Sequence, residues 1–361
     1  MQVQTSAKTT AASISRWSPV RLHPRLTPFL GAVCYPLFLG GAYGGMRTLP
    51  SAHSTEERFT AIFMVAVSMG AAFAVPLAAA LTAGRIARSF QRSRAEVQAY
   101  RLAHLIFAAP PLYTAIGVVT GVLGIGPFDF IIWLLLWLVL GLFAATATTD
   151  ALPDGVRPPG ARAVAVHGGI ALAVLLLFLA WHLGNHLLAL WSPALHGWAM
   201  KRLEHIYRAR TVEPLLVLAM ALLVGSGLRL AWRHTMLQGD GYRRLQTLTG
   251  FYLAAFVLSH LTAILVLARW QGHVDTGTWA YESAAPVGFL GNAWNPRLLP
   301  HYAIAAWAVM THAGLGLRGV LRAHGVGNRA ANLLAQGASV AGAAMSLAIS
   351  SALLGLHIAT P

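Results

Sequence analysis

About nine runs of roughly 20 apolar residues, parted only by short polar segments, leave this chain few ways to fold. They fall near 27–45, 59–84, 102–124, 128–149, 163–191, 213–232, 247–268, 300–321 and 331–356. A spanning helix needs about 20 apolar residues, and each of these runs supplies them. Charged residues make up 10% of the chain, against roughly 25% in soluble domains. The sequence therefore predicts an all-α integral membrane protein with about nine transmembrane helices.

The 26 Lys and Arg against 11 Asp and Glu give a formal charge of +15. In a soluble chain that balance would point to nucleic acid. Here the arginines sit in short links between apolar runs, so the expected partners are the lipid bilayer and its anionic headgroups, with no nucleic acid. Taking alternate links, the N-terminal tail, 85–101, 150–162, 229–246 and 318–329 hold 18 of the 26 positive residues. The positive-inside rule then predicts a cytoplasmic N-terminus in a multi-pass protein of the bacterial inner (plasma) membrane. Residues 1–26 read as a basic cytoplasmic tail. The run after them lacks a small-residue cleavage site and reads as a retained span. The Pro- and Gly-rich ALPDGVRPPGAR (151–162) divides the membrane part into a four-helix region, 27–150, and a five-helix bundle, 163–357. Inside the second, SPALHGWAMKRLEHIYRARTV (192–212) has the pattern of an amphipathic helix lying in the interface.

A single cysteine, Cys34, excludes a disulfide framework, a CxxCH haem attachment and a four-thiolate cluster. Redox or metal chemistry must rest on the 15 histidines. AWHLGNHLLALW (180–191) holds two of them four residues apart in very apolar sequence. At about 1.5 Å per residue, His182 and His260 lie about 13 Å from the predicted outer ends of their spans, and His312 about 16 Å. Neutral imidazole is the commonest side-chain metal ligand. His182, His312 and His260 are therefore the candidate metal ligands, for a haem b held by two axial imidazoles across a bundle core. His182 with His312 is the preferred pair and His260 the substitute. His186 and His301 form a layer nearer the outer surface, where with Tyr302 they are placed to hydrogen-bond a quinone carbonyl. Arg208, Arg210 and Arg269 at that surface would pair haem propionates. His104 and His167 make a thinner layer near the cytoplasmic ends, and Asp129 reads as a helix cap. The competing use of these histidines is a hydrogen-bonded or proton-relaying network, without haem, in a transporter or structural membrane protein. HLGNH lacks the Glu of the HExxH zinc proteases. One HxxxH without an adjacent-His pair does not make the several clusters of a di-metal hydroxylase. The segment 269–299 reads as an interfacial aromatic belt or a lid over the outer layer.

The stretches HLGNHL, HGWAMKRLEHIYRARTVEPLL, GSGLRL, TGFYLAAFVLSHL and PHYAIAAWAVMTHAGLGLRGV resemble the membrane-anchor cytochrome b superfamily of succinate dehydrogenases and fumarate reductases, over residues 163–325. The resemblance implies a C-terminal helix bundle that holds one or two b haems by bis-His ligation and exchanges electrons with quinone. Carried onto this chain, the ligand candidates are His182, His260 and His312. The chain departs from the family's pattern in lacking a central His in the second of its five C-terminal spans, and its fifth has only His357 at its end. The four N-terminal spans have no counterpart there. No nucleotide, flavin or iron–sulfur motif is present. The expected function is thus quinone-linked or transmembrane electron transfer, beside a separate redox subunit.

Overall fold

The computed structural model describes residues 23–88, 93–152 and 155–359, with side chains from Pro28 onward. Most of the predicted basic tail lies outside the described residues. Every named element among them is helical. The N-terminal half contributes α1 (His23–Val33), α2 (Tyr35–Thr48), α3 (Thr55–Arg88), α4 (Arg94–Phe107), α5 (Ala109–Val122) and α6 (Asp129–Ala145). The C-terminal half contributes α7 (Ala161–Val174), α8 (Ala180–Trp191), α9 (Pro193–Tyr207), α10 (Val212–His234) and α11 (Gly241–Leu261). It continues with α12 (Trp279–Glu282), α13 (Leu298–Ala323) and α14 (Asn328–Leu353).

Among the described residues, seven helices are long and apolar enough to cross a membrane, or eight if the bent pair α4–α5 forms one span. That corrects the expectation of nine, and proline explains both departures. Pro36 has no N–H to give the carbonyl of Ala32, and its ring crowds that carbonyl. The first apolar run therefore breaks at Cys34 into two short helices, and the freed Ala32 carbonyl accepts instead from Trp133 Nε1 at 2.9 Å. Pro110 and Pro111 open α5 and set the 67° bend after Phe107. Elsewhere the predicted runs became helices within a few residues. Their outer faces carry side chains such as Leu177, Val340 and Leu347, each more than 70% exposed. Such a surface suits hydrocarbon and not water.

Two spans open into π-helix. Leu175–Leu179 joins α7 to α8, and Thr262–Gln271 continues α11. π-helical turns are rare and recur at functional sites. Small residues bring α13 and α14 close: a Cβ on Gly342 would lie 2.8 Å from Met310 Cβ, and one on Gly314 2.4 Å from Ala338 Cβ. The main core joins the two halves, packing Tyr35, Tyr113, Trp133 and Trp137 in one cluster with Tyr252 and Ala308. At its edge the buried Arg297 reaches Asp129 Oδ2 at 2.9 Å, so Asp129 is an ion-pair partner as well as the first residue of α6.

Asp240 caps α11, its Oδ1 accepting from Arg243 N at 2.7 Å and its Oδ2 from Arg318 Nη2 at 2.9 Å. Partial burial pushes this carboxyl up, but the Arg243 N–H and the Arg318 guanidinium outweigh it and hold it below its ordinary 3.8. A lowered folded-state value stabilises fully above the ordinary one and is lost as the pH falls through the lowered one. Asp240→Ala is expected to cost about 1 kcal/mol near neutral pH. Thermal unfolding in detergent should show the gap to wild type closing as the pH is taken below 3.8.

Candidate functional site

His182 and His186 stand one turn apart on the same side of α8. Their Nε2 atoms lie 3.3 Å apart, and Phe178, in the π-helical turn before α8, stacks on the His182 ring at 4.9 Å. His260, at the end of α11, stacks on Phe256 with an interplanar angle of 10°. Its ring centroid is 6.3 Å from that of His182. His301, in the first turn of α13, lies buried with its ring 4.6 Å from Phe256 and 4.9 Å from Tyr302. Tyr302 in turn sits 6.0 Å from His260. The Nδ1 atoms of His260 and His301 are both buried without a hydrogen-bond partner.

The other side of His186 is closed by α9 and α12. Ser192 has extended backbone and accepts from Leu195 N at 3.1 Å, so it ends α8 and starts α9 in a new direction. The predicted amphipathic helix is present. It turns His196 and Met200 inward and leaves Trp198 and Ile206 exposed. Thr278 Oγ1 accepts from Tyr281 N and starts α12, which delivers Glu282. Glu282 Oε2 then lies 3.1 Å from His186 Nδ1 and 3.0 Å from His196 Nε2. Burial pushes the Glu282 carboxyl up, but the neighbouring His186 and then His196 hold it below the usual carboxylate range. From the segment 269–299, Glu282 thus brings a carboxylate to His186.

Of the residues expected at the site, His182, His186, His260 and His301 are brought together. His312 is not. Its Nδ1 sits 3.1 Å from both Gln246 O and Thr249 Oγ1. Thr249 precedes His260 by eleven residues on α11, about 16 Å of helix. The depth estimate failed because the helical course leading into α13 begins at Asn295, five residues before the predicted span, which carries His312 deeper. His167 lies 2.9 Å from Ser226 Oγ, and His104 is buried against Phe251 with Nδ1 2.7 Å from Tyr100 O. Arg269 pairs with Glu213, and Arg208 with Glu204 at 2.6 Å and Thr276 at 2.8 Å, so both already have acceptors. His196 and Glu282 escaped the sequence reading. The available signal was a histidine on the Met200 side of an amphipathic helix, and an acid inside the aromatic WAYES. Comparison of the chain with protein-family models, with curated proteins and with solved structures finds no match.

Proposed function

We propose that this is a b-type cytochrome-like protein of the bacterial inner membrane, N-terminus in the cytoplasm, that moves electrons through one haem b held by His182 and His260. Quinone is its mobile partner, and a separate redox subunit supplies or takes the electrons. The observation that carries the reading is the 6.3 Å between the two ring centroids, which come from different spans. Neutral imidazole is the ligand such a group needs, and His182 and His260 would hold the haem iron. The donor set fits the group: two imidazoles, neither in an ion pair among the described residues, one with an orphaned buried Nδ1. The π-helical turns beside both ligands support the same reading.

A bound haem supplies reversible one-electron chemistry whose potential follows its axial ligands and their surroundings. The chain's own residues do the rest. Phe178 and Phe256, stacked on the two imidazoles, hold the ring planes and keep water out. His301, with its unpartnered Nδ1, and Tyr302 beside His260 offer hydrogen bonds to a quinone carbonyl.

One observation favours a second reading. The contacts from His182 to His186, Glu282 and His196 are continuous, which suits a proton-relaying network in a transporter. A reduced-minus-oxidised spectrum of the protein purified in detergent, after expression with ample haem supply, decides between them. The cytochrome reading expects a b-type α band, and its absence leaves the network.

A further inference from the structure

Three side chains from three separate elements, α8, α9 and α12, converge at one end of the bundle on a single point. We infer that His186, His196 and Glu282 bind one divalent first-row transition metal ion, at a site separate from the His182–His260 pair and independent of the cytochrome reading. One ligand atom from each lies within 4.8 Å of the other two. The two imidazole nitrogens approach the same carboxylate oxygen at 3.1 and 3.0 Å. In a tetrahedral shell with bonds of about 2.0–2.1 Å, neighbouring donor atoms stand about 3.4 Å apart. The two carboxylate–imidazole pairs thus need to open by only tenths of an ångström to admit an ion, with the two imidazole nitrogens already within 4.8 Å of each other.

A plain hydrogen-bonded cluster accounts less well for the same atoms. Both ring nitrogens of the fully buried His196, and Glu282 Oε2 itself, lack an aligned hydrogen bond despite the short separation. Buried polar atoms that lack aligned partners while lying this close together are the arrangement that an ion satisfies. Two imidazoles and one carboxylate suit zinc, and equally iron(II), with positions left open for water or a substrate. Trp279, its ring 5.0 Å from His196, closes the apolar side.

The test uses the full chain, purified in detergent through a tag without histidines and stripped with chelator. Co2+ is titrated in while the visible d–d absorbance is followed, and bound Zn2+ is counted by elemental analysis after dialysis. One ion per chain is expected. Glu282→Gln and His196→Asn are each expected to weaken it by about 100-fold or more, since even outer-shell changes cost about 10–100-fold, while His312→Ala leaves it unchanged. Wild-type protein that holds well under one ion per chain overturns the inference, as does unaltered binding in both site variants. Should a variant not fold, the wild-type titration alone still decides between one ion per chain and none. Haem is quantified separately: loss of haem with metal retained counts against the cytochrome reading alone.

Discussion

His182→Ala and His260→Ala are each expected to purify as folded membrane protein without a b-type band, while His312→Ala keeps it. Each of the first two removes one of the two imidazoles whose ring centroids lie 6.3 Å apart. His186 is the nearest spare imidazole, its Nε2 3.3 Å from that of His182, so the double variant His182→Ala/His186→Ala is the stricter form of the test. Loss of a direct ligand should exceed the ~10–100-fold in affinity that loss of an outer-shell partner typically costs. At ordinary concentrations the variants then carry little haem. His312 behaves differently because its imidazole is engaged with Gln246 and Thr249, farther down α11. Haem content per chain, read as the pyridine adduct, measures all three. A full complement in His260→Ala, or its loss in His312→Ala, would assign the ligands to another pair.

The second large effect concerns the seam between the two halves. Arg297 is 5% exposed. Its Nη2 meets Asp129, its Nε donates to Trp294 O at 3.0 Å, and its guanidinium lies 4.2 Å from the centre of the Tyr113 ring. Gly117 makes the room, since a Cβ there would fall 2.3 Å from Nη1. Arg297→Ala strands the Asp129 carboxylate, which is mostly buried, and loss of one partner of a buried pair costs about 3–5 kcal/mol. Gly117→Ala displaces the guanidinium and should cost about 1–3 kcal/mol by overpacking. Adding Asp129→Asn to Arg297→Ala should recover part of the loss, because the stranded charge is then gone. Thermal unfolding in detergent reads all three, and an unchanged midpoint in Arg297→Ala would remove the pair as a determinant of stability.

The membrane helices were legible because their signal is local. The run predicted at 163–191 is the continuous helical course Ala161–Trp191, and 331–356 became Asn328–Leu353. The first run misled because hydropathy does not register what Pro36 does to the carbonyl four residues before it. Helical spacing sufficed to put His182 beside His186, while depth put His182 and His260 at one level without showing which helices face each other. Depth failed for His312, where a polar turn, Asn295–Arg297, extends the helix beyond its apolar part. His196 and Glu282 could not be found in that way. Their meeting depends on two capping residues, Ser192 and Thr278, that aim short helices back over α8.

The most direct test of His182–His260 ligation is the spectrum of His260→Gly with and without added imidazole. Ligation by this pair predicts a wild-type b-type spectrum, its loss in His260→Gly, and its return when imidazole occupies the space the side chain left. A wild-type protein without a b-type band, or a His260→Gly variant whose band persists without imidazole, would contradict it.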